Sequence, residues 1–421
     1  MSADVPSSGE GKVRGGLPAR LAAMGAQEPV RVIVRYRDVQ AKQTSRAART
    51  RALAPVREYT IIPASAMVVP REAIEELVQD PNVEAVWEDL PVHTMLDVSV
   101  PHIGVPRIWA EGNRGRGIKV AVVDTGIDET HPDFEGRILA TRSFTGEPAR
   151  DGHGHGTHVA SIIAGSGKAS NGRYVGVAPE ASLLVAKVLR NDGSGFMSDV
   201  MSGIDWAVDQ GAQVINLSLG SDGACDGTDA LSVTCDAAVA RGIVVCVAAG
   251  NAGPGPKTVG SPGCARNVIT VGASTDNDTI ASFSSRGPTL DGRVKPDIVF
   301  PGQNIIAARA KGTSMGSPQG EFYTSASGTS MATPHCSGAA ALLLAAEPSL
   351  TPAQVKQRLM FTAVNLGLDP NSQGAGRADV YAAVHPGVPV PEPTPTPEPT
   401  PTPNPPGCLE AVLRLLRPRQ L

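Results

Sequence analysis

Several features are missing from this 421-residue sequence, and each absence excludes a class of protein. It has no run of about 18 apolar residues, so no transmembrane helix is predicted. It has no long basic stripe, and its net charge is −4, which argues against a nucleic-acid partner. Its N-terminus lacks the apolar run that a signal peptide needs. The overall composition is that of an ordinary globular protein. The length of the chain suggests one large and one small domain.

Cysteines are few, and none of the six forms a C-x-x-C pair, which argues against a zinc knuckle. Cys246 and Cys336 lie in apolar runs and are predicted to be inert core thiols. Cys225, Cys235 and Cys264 lie in loop-like sequence. One pair of these three could form a disulfide, but the sequence does not say which pair.

Composition and hydrophobic pattern divide the chain into five segments. Residues 1–28 are polar and glycine-rich and are expected to be disordered. Residues 29–95 show a β-α-β-α-β pattern, which suits a small α+β domain. Residues 96–386 form the large domain, and residues 387–407 form a Pro/Thr-rich, extended linker. Residues 408–421 form a short tail with an amphipathic pattern, interpreted as structural or disordered rather than as a membrane helix.

The large domain repeats short Val/Ile-rich strands that alternate with helical patterns. These strands are apolar on both faces, as in a buried parallel sheet. The alternation predicts a doubly wound α/β fold, a mostly parallel sheet with helices on both faces. Ligands bind such sheets at the carboxyl ends of the strands. Asp124, the segment 218–220 and Asn251 all follow predicted strands, so we expect them at one edge.

Four residues could supply serine-based chemistry, which needs a nucleophile, a base, an acid that orients the base, and donors for an oxyanion. Asp124 ends an apolar strand, although a turn aspartate is the alternative. His155 lies just before a helix. The neighbouring His153 and His158 leave zinc binding or a structural role as alternatives, although no helical H-x-x-x-H pair is present.

The other two candidates are Ser330 and Asn251. Ser330 begins an apolar, alanine-rich helix, whose free N–H groups and partial positive charge favour an oxyanion beside it. An ordinary N-cap serine is the alternative. Asn251 follows a strand and could donate to an oxyanion, whereas a turn asparagine is the alternative.

A second serine, Ser314, matches a G-x-S-x-G elbow, with Asp369 or Asp379 and then His385 following in hydrolase order. That elbow requires a helix directly after the serine. The sequence after Ser314 is loop-like, so this candidate is rejected.

Seven motifs occur in order between about residues 96 and 385: VVDTGID, GHGTHVA, NLSLG, AAGN, SFSSRGP, KPDIV and SGTSMATPH. Together they resemble the subtilase family of serine peptidases, and the flanking sequence is closer to bacterial and archaeal subtilisins than to the kexin-like branch. The resemblance implies a serine endopeptidase that acts through an acyl-enzyme on Ser330. It assigns His155 as the base, Asp124 as its orienting acid, and Asn251 with the Ser330 backbone N–H as oxyanion donors.

The resemblance also implies where a polypeptide substrate binds. Two segments would pair with its backbone, and a third would line the first specificity pocket. They are, in this order, Ser218, Leu219 and Gly220; Gly193, Ser194 and Gly195; and Ala248, Ala249 and Gly250. Backbone pairing is tolerant of sequence, and small pocket residues imply a roomy apolar pocket, so broad specificity is expected.

Subtilisins carry a structural calcium site, and the resemblance places it at Asp133 of the HPDF motif, with Asn171 as a second ligand. Oxygen ligands of this kind suit Ca²⁺. The acidic loop with Asp222, Asp226 and Asp229 is interpreted either as a second ion site or as a solvated loop.

The N-terminal unit resembles the inhibitory propeptide of the family. The resemblance implies that it assists folding, inhibits the enzyme as an intramolecular partner, and is removed by self-cleavage near Met95–Leu96. A monomer is expected. The linker and the propeptide favour secretion, which the N-terminus does not support. The alternatives are a catalytically silent scaffold on the same fold and a processing protease with one partner substrate.

Overall fold

The computed structural model describes residues 12–13, 17, 21, 24–45, 57–58, 63–88, 98–221, 223–385 and 387. The chain forms two compact units, Met1–Thr94 and Met95–Leu421. The predicted tail and all but residue 387 of the predicted linker lie outside the described residues, as does the predicted cleavage site.

In its described residues, the first unit contains a four-stranded antiparallel sheet and the helices α1 and α2, whose bounds follow. Its elements are β1 (Pro29–Tyr36), α1 (Val39–Thr44), β2 (Arg57–Glu58), β3 (Ala64–Pro70), α2 (Ala73–Gln79) and β4 (Val83–Glu88), with strand order β2-β3-β1-β4. Along β1, the alternate residues Val30, Val32 and Val34 are buried, as expected of a strand with one face on a core. The predicted small α+β domain is confirmed.

Part of the segment that was expected to be disordered packs on this unit. Leu17 is completely buried, and Val13, Leu21 and Met24 pack against the same cluster. The Lys12 ammonium donates to two backbone carbonyls at the C-terminal end of α2, each at 2.9 Å. The spacing of Leu17, Leu21 and Met24 is that of one helical face, which the neighbouring glycines concealed. The prediction of disorder over residues 1–28 is therefore wrong for Lys12, Val13, Leu17, Leu21 and Met24.

The second unit contains a parallel sheet and a smaller antiparallel sheet. Its elements are α3 (Ser99–His102), α4 (Val105–Ala110), β5 (Lys119–Asp124), β6 (Ile138–Ser143), α5 (His155–Ala164), β7 (Ser182–Lys187), α6 (Met197–Asp209), β8 (Val214–Leu217), α7 (Ala230–Ala240), β9 (Val244–Ala248), β10 (Ile269–Ser274), β11 (Ile298–Pro301), β12 (Ile305–Ala308), β13 (Ser317–Pro318), β14 (Tyr323–Ala326), α8 (Thr329–Ala346), α9 (Pro352–Phe361), α10 (Pro370–Gln373) and α11 (Val380–Val384). The parallel sheet has seven strands in the order β11-β10-β9-β8-β5-β7-β6. The separate antiparallel sheet has three strands in the order β12-β14-β13.

Helices cover both faces of the parallel sheet, and β5 shows why its sequence is continuously apolar. Val120 and Val122 point into the core that contains α5 and α8, whereas Ala121 and Val123 point into the core that contains α6 and α7. Successive side chains of a strand face opposite sides, so a strand between two cores has no polar face. The predicted doubly wound α/β fold is confirmed.

Helix α8 runs through the larger of the two cores. Its alanine-rich sequence allows close packing, and nearly all of its residues are buried, the exceptions being Ser330 near its start and Ala345 and Ala346 at its end. In the part of the chain that the structure describes, no helix is both long and apolar enough to cross a membrane.

Candidate active site

One cavity of about 640 Å³ lies at the carboxyl edge of the parallel sheet. The strands end there because parallel strands present their carboxyl ends on the same side. The cavity is lined by Thr125, His153, His155, Leu189, Asp192, Gly193, Ser194, Gly195, Ser218, Leu219, Gly220, Ser221, Ala248, Ala249, Gly250, Asn251, Gly260, Thr329 and Ser330. The structure thus brings together His155, Ser330, Asn251 and all nine predicted substrate-binding residues. The carboxylate of Asp124 lies beneath this lining, with no exposed surface.

Asp124 and His155 form a hydrogen-bonded pair. Asp124 is the last residue of β5, and His155 is the first residue of α5. The His155 Nδ1 lies 2.8 Å from Asp124 Oδ1, which also accepts from the Thr125 backbone N–H at 2.7 Å. This arrangement places the proton on Nδ1 and leaves Nε2 facing the cavity as a proton acceptor.

The electrostatic surroundings of His155 favour its protonated form. Burial opposes the charge of the imidazolium, but the charge of Asp124, its hydrogen bond and the charge of Asp151 together outweigh burial and raise the pKa of His155. A base with a raised pKa takes a proton more readily, which suits general base catalysis.

Asp151 holds the loop that presents His155, and sequence reasoning missed it. Its carboxylate is buried and accepts five hydrogen bonds, from Thr125 Oγ1, from the backbone N–H groups of His153, Gly154 and Thr157, and from Thr157 Oγ1, at 2.7 to 3.0 Å. The available signal was its position four residues before His155 in a glycine-rich loop, where an acceptor is needed to satisfy turn N–H groups.

Ser330 lies in the first turn of α8, where backbone N–H groups have no partner within the helix. The cap residue, Gly328, has no side chain that could accept from them. The Ser330 hydroxyl donates to the Ser218 carbonyl at 3.0 Å, and the Ser218 hydroxyl donates to the Ser330 carbonyl at 2.9 Å. Among the described residues, no hydrogen bond joins Ser330 and His155, a common situation for catalytic pairs without substrate.

The Asn251 side chain is oriented by Thr329. Its Oδ1 accepts from the Thr329 backbone N–H at 2.9 Å and from Thr329 Oγ1 at 3.0 Å. Because Oδ1 is used in this way, the amide NH₂ is the part of Asn251 that is available to the cavity. Asn251 and the N-terminus of α8 therefore present donors to the same space, which is the arrangement that stabilises an oxyanion.

A disulfide joins the two chain segments that contribute Ser221 and Gly260 to the cavity lining. It joins Cys225 to Cys264, and Cys235 is a free buried thiol. The predicted core thiols Cys246 and Cys336 are free and buried. Sequence reasoning narrowed the disulfide to three cysteines, and the structure selects one pair.

The surroundings of Asp133 do not fit a calcium ion. One carboxylate oxygen of Asp133 accepts from the Ala169 backbone N–H at 2.9 Å, and the other accepts from the Tyr323 hydroxyl at 2.8 Å. The Arg137 guanidinium donates to the Asp133 carbonyl. Asn171 is exposed and caps a short 3₁₀ turn. Calcium needs six to eight oxygen ligands, whereas Asp133 is surrounded by hydrogen-bond donors and a cation.

The other candidate metal groups also lack a suitable arrangement. His158 is buried between the Ile305 and Thr324 carbonyls, and burial, with a smaller effect of His155, lowers its pKa to about 3, so it is a neutral structural residue. Asp226 accepts hydrogen bonds from Thr228 within its own loop. Asp229 caps α7, and Asp222 lies outside the described residues.

Within the described part of the chain, one group of three possible ligands converges, namely Cys225, Asp229 and Cys264. The disulfide removes its two thiolates. The residues of the rejected elbow have other surroundings, because Ser314 is exposed and Asp369 and Asp379 each cap a short helix.

The comparisons with known proteins identify the family of the chain. The sequence model of the subtilase family matches residues 115–376. Serine protease AprX of Bacillus subtilis is 41% identical over 347 residues, covering 76% of this chain and 78% of AprX. Subtilisin E of Bacillus subtilis is 40% identical over 338 residues, covering 78% of this chain and 82% of subtilisin E.

A solved structure gives the same result for the fold. The crystal structure of a cold adapted subtilisin-like serine proteinase has a TM-score of 0.51 and 34% identity, and covers 63% of this chain and 88% of that protein. The chain therefore belongs to the subtilase family and is a subtilisin-like serine endopeptidase.

Proposed function

We propose that this enzyme cleaves polypeptides through an acyl-enzyme on Ser330. The Ser330 Oγ attacks the carbonyl carbon of the scissile bond, and its proton passes to His155 Nε2. The C–N bond of the tetrahedral intermediate then breaks, and His155 returns the proton to the leaving amine. Water repeats the sequence on the ester and releases the acid. The observation that carries this proposal is the 2.8 Å pair of Asp124 and His155 in the cavity that Ser330 lines.

Charge develops on the carbonyl oxygen during both steps. The amide of Asn251, whose orientation Thr329 holds, and the backbone N–H of Ser330 are the donors for this oxyanion. Preorganised donors matter because they need no reorientation while the charge forms, and loss of one such donor typically slows turnover by about 10²- to 10³-fold.

The substrate backbone lies between two extended segments. We assign 218–220 to one side and 193–195 to the other, with 248–250 as the wall of the first specificity pocket. The Ser218 carbonyl at present accepts from the Ser330 hydroxyl. A substrate N–H that pairs with this carbonyl displaces the hydroxyl and frees it to turn toward His155. Backbone pairing and a pocket walled by Ala248, Ala249 and Gly250 support broad specificity.

We assign the N-terminal unit, residues 29–95, as a propeptide that assists folding and inhibits the peptidase domain, residues 96–386, until self-cleavage near Met95–Leu96. The support is the compact fold of the unit and the division of the chain between Thr94 and Met95. We propose a monomer, because one chain supplies all of the residues of the cavity.

The intact masses of purified wild type, Ser330→Ala and Ser314→Ala test the nucleophile and the processing together. We expect wild type and Ser314→Ala to lose the segment that ends near residue 95, and Ser330→Ala to stay full length. Ser314 is the matched control because it is an exposed serine in a G-x-S-x-G sequence. If all three proteins stay full length, self-processing is wrong. If Ser330→Ala is cut like wild type, another protease performs the cleavage.

A further inference from the structure

The disulfide between Cys225 and Cys264 joins two segments that line the same part of the cavity. The first segment follows β8 and contributes Ser218, Leu219, Gly220 and Ser221 to the lining. The second precedes β10 and contributes Gly260. The two cysteines are 39 residues apart in sequence, and their Cα atoms are 6.0 Å apart. The cross-link therefore ties together two walls that the sequence places far apart.

The two segments touch closely on the cavity side of the disulfide. The Ser221 backbone N–H donates to the Ser261 carbonyl at 2.8 Å. A Cβ atom at Gly260 would lie only 1.9 Å from the Ser221 carbonyl oxygen, so only glycine fits there. The chain around Gly227 approaches Cys264 in the same way, because a Cβ at Gly227 would lie 2.5 Å from the Cys264 carbonyl oxygen. A Cβ at Gly263, the residue before Cys264, would lie 2.9 Å from the Ala248 carbonyl oxygen, so the second segment also packs against the wall of the first specificity pocket. Separation of the two segments would therefore widen that pocket.

The disulfide is open to exchange at one end. Cys225 is partly exposed, whereas Cys264 is buried. An external thiolate reaches the more accessible sulfur, and access is one of the factors that set the rate of thiol–disulfide exchange. The disulfide is also separate from the chemistry, since Asp124, His155 and Ser330 lie on β5, α5 and α8.

Other contacts keep the two segments together when the disulfide is absent. The Arg293 guanidinium donates to the carbonyls of Asp226 and Cys264, each at 2.8 Å. The Asp229 carboxylate accepts from the Ser261 hydroxyl at 2.6 Å. Loss of the cross-link is therefore expected to loosen the wall of the pocket without unfolding it.

Resting on the proposed function, we propose that Cys225–Cys264 is a redox-sensitive clamp that sets the selectivity of the first specificity pocket. A dithiol reductant opens it. One thiolate attacks Cys225 Sγ, the S–S bond breaks, and Cys264 leaves with the electron pair and takes up a proton. The second thiol of the reductant then resolves the mixed disulfide. The protein gains two electrons and two protons, and the reductant becomes a disulfide. The pocket walls then move more freely relative to each other, and discrimination between substrate side chains falls.

The test compares two peptide substrates that differ only in the residue before the scissile bond, phenylalanine or alanine. Their kcat/KM ratio is measured for wild type with and without dithiothreitol, and for Cys225→Ala. We expect reduction to lower the ratio by about three- to tenfold, through KM rather than kcat, because a pocket of altered width loses part of the discrimination that side-chain size provides. Cys225→Ala should show the lowered ratio with and without dithiothreitol.

Cys235→Ala is the matched control. Cys235 is a buried free cysteine on α7, and its removal should leave the effect of dithiothreitol unchanged. Equal ratios for oxidised wild type, reduced wild type and Cys225→Ala would overturn the clamp. Failure of the proposed function looks different, because oxidised wild type would then neither cleave either peptide nor react with a fluorophosphonate at Ser330.

Discussion

The two sides of the cavity are held by different means. On the side of His155, a glycine-rich loop is held by hydrogen bonds to the buried carboxylate of Asp151. On the side of the pocket, the segments around Ser221 and Gly260 are held by a disulfide. A buried carboxylate brings charge as well as position, and Asp151 contributes to the raised pKa of His155. A disulfide brings position alone. We infer that the side of the base needs a charge, whereas the side of the pocket needs only a fixed width.

Loss of the disulfide should have the largest effect on stability. Its cysteines are 39 residues apart, and closing a loop of that length lowers the entropy of the unfolded chain by an amount worth about 4 kcal/mol. We expect Cys225→Ala to lower the free energy of unfolding by up to this amount. Urea unfolding measures it in a Ser330→Ala background, where self-digestion does not interfere. Equal urea midpoints of unfolding with and without Cys225→Ala would show that the disulfide does not stabilise the fold.

Loss of the Asp151 carboxylate should have the largest effect on catalysis. Asp151→Ala leaves five donors around His155 unsatisfied, so the loop and the imidazole shift. A misplacement of about 1 Å costs about 100-fold in rate, and we expect kcat/KM to fall by about that factor. Asp226→Ala is the control, because the Asp226 carboxylate accepts hydrogen bonds from Thr228 in its own loop. Near-normal kcat/KM for Asp151→Ala would contradict the role of Asp151.

The pH dependence distinguishes the two sides. The raised pKa of His155 means that kcat/KM falls as the pH drops through a value above 6.5, where the base becomes protonated. Asp151→Asn removes a nearby negative charge and should move this acid limb to lower pH. Reduction of the disulfide should leave the acid side of the kcat/KM profile at the same pH. The contrast between the two sides of the cavity would be wrong if reduction moved the acid side of the profile, or if Asp151→Asn left it unchanged.

The same raised pKa affects folding. A histidine whose pKa is higher in the folded state stabilises it most below the pKa of the unfolded state, and this contribution is lost as the pH rises through the folded pKa. In the Ser330→Ala background, the free energy of unfolding should therefore decline as the pH rises above about 6.5. Asp124→Asn should reduce this decline, because Asp124 is a main cause of the shift.

Asp133 extends the comparison with a smaller effect. Like Asp151, it is a buried carboxylate whose two oxygens accept internal hydrogen bonds. Asp133→Asn should lower the free energy of unfolding by about 1 to 3 kcal/mol, equally in calcium and in a chelator. Thermal unfolding of wild type, Asp133→Asn and Asn171→Ala under both conditions measures this. A calcium-dependent stabilisation that both variants lose would restore the calcium site implied by the family resemblance.

The central sheet was predictable because each of its buried strands has a short, continuously apolar sequence. The strands β5, β7, β8 and β9 contribute residues to both cores and have apolar sequences, β10 is buried along its whole length, and α5, α6 and α7 alternate with these strands. Strand β6 was missed, because its residues are only half buried and its sequence, ILATRS, mixes polar and apolar residues. The small sheet of β12, β13 and β14 was missed because its strands have two to four residues and no measurable period. The helical spacing of Leu17 and Leu21 was missed because the glycines on either side indicated a disordered segment.

The site was predictable where chemistry requires a residue type at a strand or helix end, as at Asp124, His155, Asn251 and Ser330. Asp151 was missed because a turn aspartate looks the same in sequence whether it is solvated or accepts five buried hydrogen bonds. The calcium expectation at Asp133 rested on a motif, and the motif does not show that Tyr323, far along the chain, supplies a hydrogen bond to the same carboxylate.

The sequence by itself determined the order of the central strands and helices, the family, and the meeting of Asp124, His155, Asn251 and Ser330 at the edge of the sheet, because local periodicity and strand ends are properties of short segments. Only the tertiary structure decided which two cysteines pair, which carboxylate holds the loop of the base, and what surrounds Asp133. The cysteine pair and the Tyr323–Asp133 contact join segments that lie 39 and 190 residues apart, and the hydrogen bond from Thr125 to Asp151 spans 26 residues. Such distances are set by how the cores pack, and no short stretch of sequence records them.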